Sequence, residues 1–271
     1  MACGRFSRLF SNRGGRAAII GMIHVPALPG SPNSRLPVEK LVEIACAQAE
    51  LYVKHGLDGI LVENMHDRPY LKGAVGMETV ASMTRICSEI RRATPSIPIG
   101  VQILSGANKE AIAVTQAAGA DFIRAEGFVF SHVADEGWID ACAGELLRYR
   151  RNIGADDILV LTDVKKKHCS HMVTSDIDVL TTARNAEYFL SDGIILTGQT
   201  TADPVDTAQL DSVLKGVDIP VIVGSGATVD NVTSYLQCHA IIVGSHFKYN
   251  GLWSNDIDID RVVKFMDRVQ S

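Results

Sequence analysis

The chain has 271 residues, of which 46% are apolar, and a formal net charge of −5 at pH 7. This length suits two small domains or a single α/β barrel, and the apolar fraction is typical of a globular protein. The negative net charge argues against nucleic acid as the main partner, because neutralising phosphates requires a basic protein face. No apolar run approaches the roughly 18 residues that cross a bilayer, so we expect no membrane span.

The first 16 residues differ in composition from the rest of the chain. They contain two serines, no acidic residue, and the four arginines Arg5, Arg8, Arg13 and Arg16. Arginine-rich, acid-free leaders are typical of mitochondrial transit peptides, so we expect a mitochondrial location, with the cytoplasm as the alternative. The other interpretation is a short disordered arm without a role. We therefore divide the chain into a leader, 1–16, and one domain, 17–271.

Apolar segments with strand character alternate with segments of helical periodicity along the whole of 17–271. The predicted strands are near-continuous apolar runs, as expected of strands that are buried on both faces. In chain order the predicted elements are strand 17–25, helix 38–55, strand 59–63, helix 77–93, strand 99–103, helix 109–118, strand 122–125, helix 139–152, strand 158–162, helix 177–190, strand 193–197, helix 206–215, strand 221–223, helix 229–237, strand 240–243 and helix 260–269.

The regular alternation of strand and helix predicts a parallel sheet, and eight repeats predict that it closes into a (β/α)8 TIM barrel, an α/β fold. A doubly wound open sheet is the main alternative, but it rarely contains eight regular units. No linker or low-complexity segment divides the chain. The loops after the strands carry nearly all the unusual polar residues. Because barrel active sites lie at those strand ends, we expect the chemistry on this rim.

The densest cluster of reactive residues follows the fifth predicted strand, from Asp163 to His168. Asp163 could act as a base, a metal ligand or the partner of a lysine. A lysine held there could bind an anion or, if desolvated, act as a nucleophile or base, and we expect this of Lys165 and Lys167. Strand alternation predicts that the three consecutive lysines cannot all face inward. A solvated basic loop is the alternative.

Two glutamates are further candidates for proton transfer at the rim. Glu63 and Glu126 could serve as an acid/base pair. Alternatively, Glu126 forms a structural ion pair with Arg124 inside the barrel mouth. Ionisable groups at the ends of buried strands are costly unless they are paired, so their convergence on one rim indicates a polar site.

The sequence identifies no cofactor, but a divalent metal is compatible with it in two ways. Glu63, Glu126 and Asp163 could together bind a hard cation. His168 lies three residues before His171, a spacing that could place two imidazoles near zinc, although a third fixed ligand is lacking.

The stretch from 218 to 248 contains the last two predicted strands, each of which ends in a Gly/Ser turn. These two glycine turns are Gly224-Ser225-Gly226 and Gly244-Ser245. Exposed backbone N–H groups in glycine turns bind anions, and barrels often hold phosphate in the loops after strands 7 and 8. The turns therefore predict a site for phosphate or another anion, with ordinary turn glycines as the alternative.

Short motifs spread over about 19–269 form a specific combination. They are G-M-I-H at 21–24 followed by P-A-L-P-G-S-P at 26–32, D-G-I-L-V-E-N at 58–64, F-I-R at 122–124, T-D-V at 162–164 with K-H at 167–168, and V-G-S-G at 223–226 with V-G at 243–244. Together these motifs resemble the BtpA/SgcQ-like family. The resemblance implies a barrel of the ribulose-phosphate-binding type, in agreement with the predicted phosphate site.

The resemblance also bears on function and location. The family takes its name from a cyanobacterial factor needed for photosystem I accumulation, and other members look like parts of sugar-phosphate gene clusters. Residues 102–108 depart from the usual bacterial pattern, whereas 128–132 and the triple lysine resemble the eukaryotic branch. A mitochondrial leader fits that branch and argues against a photosystem role.

Two functions from different classes fit these observations. The first is an enzyme that isomerises, epimerises or cleaves a small phosphorylated metabolite, such as a sugar phosphate or a nucleotide-like ester. The second is a non-catalytic assembly or stability factor that uses the barrel as a scaffold. A homo-oligomer is compatible with either. The residues assigned to catalysis are Glu63, Glu126, Asp163, Lys165, Lys167 and His168, and those assigned to substrate binding are His24, Asn64, Gln102, Arg124, Thr197, Gly224, Ser225, Gly226, Gly244 and Ser245.

Overall fold

A computed structural model of the chain describes residues 2–11, 15–198 and 203–270, with side chains from residue 4 onward. Eight parallel strands close into a barrel in which the last strand pairs with the first, and the predicted TIM barrel is thus confirmed. Three further short strands form a small separate sheet. In chain order the strands are β1 (Ala18–His24), β2 (Gly59–Glu63), β3 (Ile99–Gln102), β4 (Phe122–Ala125), β5 (His132–Ala134), β6 (Gly137–Ile139), β7 (Leu159–Val164), β8 (Cys169–Ser170), β9 (Gly193–Leu196), β10 (Val221–Val223) and β11 (Ala240–Val243).

Helices follow most of the barrel strands, as the alternating pattern predicts. None of the helices in the described part of the chain has the length and apolarity needed to cross a bilayer. The α-helices are α1 (Ala2–Leu9), α2 (Val38–Lys54), α3 (Met77–Ala93), α4 (Asn108–Ala118), α5 (Ala143–Asn152), α6 (Val179–Tyr188), α7 (Thr207–Gly216) and α8 (Ile259–Gln270).

Between β10 and β11 the chain forms only a 3-10 helix, Val232–Tyr235, where the sequence predicts an α-helix over 229–237. The prediction is wrong because the side chain of Asn231 makes local hydrogen bonds that hold a tight turn. It accepts from the backbone N–H of Thr228 at 2.8 Å and donates to the carbonyl of Gly226 at 2.9 Å. Asparagine, serine and threonine favour such bonds over helix interiors.

The register of the barrel strands decides which side chains meet at the C-terminal rim. His24 at the end of β1 stands opposite Glu63 of β2, and Glu63 stands opposite Gln102 of β3. Strand β7 extends to Val164, past its predicted end at 162, so Asp163 lies within the strand. Since alternate residues of a barrel strand face the interior, the rim carries a ring of inward polar groups.

The leader folds as helix α1 against the opposite, N-terminal end of the barrel. Phe6 and Phe10 are 0% and 2% exposed and pack with strand residues that fill the barrel interior, among them Ala18 and Phe122. The rings of Phe10 and Phe122 have centroids 6.1 Å apart. Because Ala18 and Phe122 begin their strands, α1 closes this end of the barrel. Residues 2–11 are therefore packed, and the disordered-arm interpretation does not describe them.

Two leader arginines tie this segment to the barrel. Arg5 forms an ion pair with Asp192, whose side chain is 4% exposed. Arg16 donates to both carboxylate oxygens of Asp58, at 2.5 and 3.3 Å. Arg13 lies outside the described residues. The positive charges that make the leader resemble a transit peptide thus serve, in part, as structural contacts.

A small antiparallel sheet lies over the barrel mouth. Strands β5 and β6 form a hairpin whose turn carries Asp135 and Glu136, and β8 pairs with β5. The sequence predicts a loop here and a helix from 139, whereas α5 begins only at Ala143. The hairpin brings two acidic side chains from the segment after β4 to the edge of the cavity described next.

Candidate active site

A cavity of about 240 Å³ opens at the C-terminal ends of the barrel strands. The structure brings most of the predicted site residues together on its wall, but not Asn64, Lys165 and Thr197. The predicted residues that line the cavity are His24, Glu63, Gln102, Arg124, Glu126, Asp163, Lys167, His168, Gly224, Ser225, Gly226, Gly244 and Ser245.

Asn64 and Thr197 hold neighbouring loops rather than facing the cavity. The side-chain oxygen of Asn64 accepts from the backbone N–H of Leu104 at 2.7 Å, and its amide donates to Asp67 at 2.9 Å. The hydroxyl of Thr197 accepts from the backbone N–H of Lys167 at 3.2 Å. Both residues, predicted to bind substrate, therefore act on the site by positioning its walls.

The three consecutive lysines after β7 do not all face the cavity. Strand β7 ends at Val164, and Lys165 has a left-handed backbone with φ of 45°, so strand alternation does not continue through the run. Lys165 donates to the carbonyl of Thr174 at 3.0 Å, away from the main cavity. Lys166 and Lys167 line the cavity instead. The structure thus contradicts the placement of Lys165 in the site and adds Lys166.

Asp163 is held in a buried ion pair with Arg124. The guanidinium donates from Nε and Nη2 to the two carboxylate oxygens at 3.0 and 2.9 Å. Burial acts to lower the pKa of Arg124, but the carboxylates of Asp163, Glu63 and Glu126 together outweigh it and raise that pKa, so the guanidinium stays charged. With both oxygens engaged, Asp163 is poorly placed to move protons. The alternative pair between Arg124 and Glu126 does not form.

Glu126 is the centre of a second buried network. Its carboxylate accepts from Nζ of Lys166 at 3.1 Å, from the hydroxyl of Ser105 at 3.1 Å and from the backbone N–H of Gly106 at 2.9 Å. Burial acts to raise the pKa of Glu126, but Lys166, Arg124 and Ser105 together outweigh it and lower that pKa. Glu126 is therefore a permanent carboxylate that organises the rim, which does not suit the predicted role of acid/base partner to Glu63.

Glu63 differs from the other two carboxylates because no lysine or arginine in the described ranges lies within ion-pair distance of it. Its side chain is 9% exposed, and burial raises its pKa to about 7 against the opposing charge of Arg124. Its Oε2 lies 3.6 Å from Nε2 of His24. Burial is also the main cause that lowers the pKa of His24 to about 3, so this ring is neutral.

The tautomer of His24 follows from its contact with Trp253. Nδ1 of the ring lies 3.0 Å from the carbonyl oxygen of Trp253, which can only accept, so Nδ1 carries the hydrogen. In the neutral ring Nε2 is then an acceptor that faces the carboxyl of Glu63. The 3.6 Å between Oε2 of Glu63 and Nε2 is slightly longer than a hydrogen bond, so the two groups adjoin without being bonded. A carboxyl with a pKa of about 7 can give and accept protons near neutral pH.

The two glycine turns form one wall of the cavity. Gly226 has a left-handed φ of 73°, and a Cβ there would lie 1.9 Å from the carbonyl oxygen of Asp203. A Cβ at Gly224 would lie 2.4 Å from the side chain of Ile195. Close packing thus requires glycine at both positions, as the ordinary-turn alternative predicts. The glycines of both turns line the cavity without a side chain, although the N–H of Gly224 already donates to the carbonyl of Leu196 at 2.7 Å.

Arg261 brings a positive charge to this wall from the first turns of α8. It lines the cavity, and no carboxylate in the described part of the chain is within ion-pair distance of it. Its guanidinium makes one long hydrogen bond, 3.5 Å, to the carbonyl of Lys248. Guanidinium donors beside exposed backbone N–H groups are well suited to bind an anion.

Several polar residues of the cavity wall are missed by sequence reasoning. Asp135 and Glu136 come from the hairpin, which has no Asn-Gly or similar turn signal, and only its short alternation of residue types around an acidic pair could have predicted it. Arg261 comes from a helix whose buried face, but not its distance from the rim, is readable from the sequence. The missed polar residues are Tyr70, Ser105, Asp135, Glu136, Lys166, Thr228, His246 and Arg261.

The predicted His-x-x-His pair does not form a metal site. His168 lines the main cavity, whereas Nε2 of His171 lies 2.9 Å from the carbonyl of Lys166, and the ring of His171 packs 5.3 Å from that of His132. Across residues 2–11, 15–198 and 203–270, no group of three or more His, Cys, Asp or Glu side chains is arranged to hold a metal ion. Glu126 and Asp163 are each bonded to a cation instead of sharing one with Glu63.

Comparisons with known proteins identify the family to which this chain belongs. The model of the BtpA family matches residues 15–271. An uncharacterised mitochondrial protein of Caenorhabditis elegans is 45% identical over 260 residues, which cover 94% of each chain. The photosystem I biogenesis protein BtpA of Synechocystis sp. is 34% identical over 253 residues, 92% of this chain and 86% of that one. Phosphoribosyl anthranilate isomerase from Thermotoga maritima shares the fold, with a TM-score of 0.56 and 13% identity over 94% of this chain and 98% of that one. The chain belongs to the BtpA family.

Proposed function

We propose that the protein is an enzyme that binds a small phosphorylated metabolite at the barrel mouth and transforms it by proton transfer. The observation that carries this proposal is Glu63, a buried carboxyl with a pKa of about 7 beside the neutral ring of His24 in an open cavity. Burying an ionisable group without a cation costs stability. A residue with a purely structural role has no need to be such a group, so its presence indicates a functional site. A group with this pKa gives and accepts protons efficiently at neutral pH.

In this proposal the phosphate binds against the two glycine turns, next to Arg261. Backbone N–H groups and guanidinium donors are the groups that proteins commonly use to bind phosphate. The phosphate end adjoins the proton-transfer end, because a Cβ at Gly244 would lie only 3.4 Å from Nε2 of His24. A cavity of about 240 Å³ that joins these two ends suits a small metabolite.

The reacting part of the substrate lies against Glu63, which moves a proton while a nearby cation stabilises the negative charge that develops. Arg124, held by Asp163, is the cation on that part of the wall. Its positive charge is fixed in place before the reaction, which is the most effective form of electrostatic stabilisation. Isomerisation, epimerisation and lyase chemistry all use such a proton transfer.

A protein of the same fold supports the substrate class. The isomerase from Thermotoga maritima is named for a phosphoribosyl compound, and its barrel superposes on most of this chain. Barrels of one fold host many reactions, so this likeness supports a phosphorylated ligand and not a particular chemistry.

A non-catalytic assembly factor is the second candidate, favoured by the name of the Synechocystis relative, a photosystem I biogenesis protein. A scaffold has no need of an open cavity with a buried carboxyl that titrates near neutrality. The rim residues retain both features, which favours the enzyme.

Incubation of the purified protein with a metabolite extract, followed by mass spectrometry, tests the proposal. We expect the wild type to consume a phosphorylated compound, and Glu63→Gln to abolish that turnover. Glu43→Gln, the same change at a glutamate that is exposed on α2, should leave turnover unchanged. Equal turnover by both variants would contradict the role of Glu63, and stoichiometric capture of a protein with no metabolite consumed would favour the assembly factor.

We also propose that the protein resides in mitochondria with residues 2–11 still attached. The mitochondrial relative in Caenorhabditis elegans supports the location. The burial of Phe6 and Phe10 supports retention, because removing them would open the apolar end of the barrel. Mass spectrometry of the N-terminal peptide from a mitochondrial fraction should therefore detect both phenylalanines. A mature protein that begins after residue 16 would contradict retention.

A further inference from the structure

Lys167 differs from the other two lysines in its run. Lys165 donates to a backbone carbonyl, and Lys166 forms an ion pair with Glu126. Nζ of Lys167 has no hydrogen-bond or ion-pair partner among the residues that the structure describes, although the side chain lines the cavity. Its backbone is fixed by the hydrogen bond of its N–H to Thr197. The amine is thus positioned but not engaged.

The surroundings of Lys167 disfavour the charged ammonium form. Burial is the main cause that lowers the pKa of Lys167, and the charge of Arg124 adds to it against the attraction of Glu63 and Asp163. Each unit by which a lysine pKa falls raises the neutral fraction at pH 7 about tenfold. A neutral amine with its lone pair free in a substrate cavity is a nucleophile toward carbonyl carbon.

We propose that Lys167 forms an imine with the carbonyl group of a phosphorylated aldehyde or ketone. This proposal rests on the proposed function, since the glycine turns and Arg261 must hold the phosphate so that the carbonyl reaches Nζ. The lone pair of Nζ attacks the carbonyl carbon, the C=O π electrons move to oxygen, and one proton passes from nitrogen to that oxygen. The product of this first step is a carbinolamine.

Glu63 completes the reaction as a general acid. In its protonated form it gives its proton to the carbinolamine hydroxyl, which leaves as water while the nitrogen lone pair forms the C=N bond of a protonated imine. Glu63 is then a carboxylate beside an electron-withdrawing iminium. It can remove a proton from the adjacent carbon or assist cleavage of an adjacent bond, which are the steps of isomerase and lyase chemistry.

Gln102 defines a further feature of the ligand. This residue is 2% exposed, and its Nε2 donates to the carboxylate of Glu126 at 3.4 Å. The opposite amide orientation would place two oxygens against each other, so Oε1 is the atom left over, and within the described chain it has no hydrogen-bond partner. A buried acceptor on the cavity wall calls for a donor from the ligand. The ligand is therefore a phosphorylated hydroxy-aldehyde or hydroxy-ketone.

Pyridoxal 5′-phosphate, a phosphorylated hydroxy-aldehyde, is a direct probe of this reaction. Sodium borohydride reduces any imine to a stable secondary amine, whose position is then found by peptide mass spectrometry. We expect labelling of Lys167 in the wild type and in Lys264→Arg, the same change at an exposed lysine of α8. Lys167→Arg, which keeps the positive charge but cannot form an imine, should lose the label. Labelling that is spread over surface lysines and unchanged in Lys167→Arg would overturn the proposal.

Controls for the phosphate separate this inference from the proposed function. We expect inorganic phosphate to slow the labelling of Lys167, and pyridoxal without phosphate to label it at least about tenfold more slowly, the factor that about 1.4 kcal/mol of phosphate binding supplies. Phosphate that binds the protein while Lys167 stays unlabelled would overturn the imine and leave the proposed function standing. Labelling of Lys167 that is indifferent to phosphate would support the nucleophile and contradict the phosphate site.

The role of Gln102 has its own test. 3-Deoxypyridoxal 5′-phosphate lacks the hydroxyl, and we expect it to label the wild type more slowly than pyridoxal 5′-phosphate. Methionine has no amide oxygen to accept from the hydroxyl. In Gln102→Met the labelling rates of the two probes should therefore differ less than they do in the wild type. An equal difference between the probes in the wild type and the variant would overturn the assignment of the hydroxyl to Gln102.

Discussion

The two ends of the barrel are built from the same eight strands but are filled in opposite ways. At the N-terminal end, Phe6 of α1 and Phe10 directly after it are inserted into an apolar layer. At the C-terminal end, ionisable side chains surround an open cavity. Burial of hydrocarbon stabilises a fold, whereas burial of charge costs free energy unless it is compensated. The contrast indicates that the N-terminal end is closed for stability and the C-terminal end is kept open for function.

Besides the hairpin residues Asp135 and Glu136, three buried carboxylates line the cavity, and they differ in whether a cation is bound to them. Asp163 is neutralised by Arg124 and Glu126 by Lys166, both in buried ion pairs. Such pairs are weak sources of stability, since apolar replacements of similar volume are often as stable. Glu63 has no such cation, and its pKa is raised to about 7. The paired groups fix the architecture, and Glu63 is the group to which the proposed function assigns proton transfer.

The largest change in the free energy of unfolding is expected at the N-terminal end of the barrel, which α1 closes. Replacing Phe6 and Phe10 by alanine should lower the free energy of unfolding by about 3–5 kcal/mol for each residue, because each change leaves a cavity in a packed apolar layer. Urea denaturation followed by circular dichroism measures the loss. Phe189→Ala, at a phenylalanine that is 47% exposed, is the matched control and should cost less than about 0.5 kcal/mol. A double variant as stable as this control would show that α1 does not close the barrel.

The next effect concerns the buried ion pair at the open end. Asp163→Asn should lower the free energy of unfolding by about 3–5 kcal/mol, because it leaves the buried guanidinium of Arg124 without a counter-charge. We expect turnover to be lost while phosphate binding remains. Asp156→Asn breaks an ion pair with Arg151 whose side chains are 78% and 49% exposed, and it should cost less than about 1 kcal/mol. Equal losses in the two variants would contradict the difference between the buried and the exposed pair.

Glu63→Gln should stabilise the protein, and only at higher pH. Burial raises the pKa of Glu63 from 4.5 to about 7 in the folded state. The protonated carboxyl therefore makes its whole contribution to the free energy of unfolding below pH 4.5, and this contribution is lost as the pH rises through 7. Glutamine does not ionise, so the variant should exceed the wild type by roughly 3 kcal/mol above pH 7 and by little below pH 4.5. Thermal unfolding across this range measures the difference, and a gain that is independent of pH would contradict the raised pKa.

The fold and much of the open end are predictable from the sequence. Continuous apolar runs between helical segments give the strand count, and strand periodicity places His24, Glu63, Gln102 and Arg124 at the rim, where the structure has them. This reasoning holds while the backbone is regular. It fails at Lys165, where a left-handed residue after β7 redirects the lysines that follow.

At the N-terminal end of the barrel, the arginine-rich composition of the leader draws attention away from two apolar residues that predict packing. The arginines of the leader suggest a transit peptide, but Phe6 and Phe10 are four residues apart, the spacing that places two side chains on one helix face. That spacing predicts an apolar contact without identifying its partner. Arg261 and the hairpin residues Asp135 and Glu136 were missed for the same reason, because tertiary contacts alone bring them to the rim.

Binding of inorganic phosphate, measured by isothermal titration calorimetry, tests most directly the claim that the open end is the functional one. We expect the wild type to bind phosphate, and Arg261→Gln to weaken that binding about tenfold, or about 1.4 kcal/mol, since one charged donor is removed. Phe10→Ala, at the closed end, should leave the affinity within about twofold of the wild type, since its effect on packing is remote from the cavity. The absence of phosphate binding at millimolar concentrations, or an equal loss of affinity in both variants, would contradict the account.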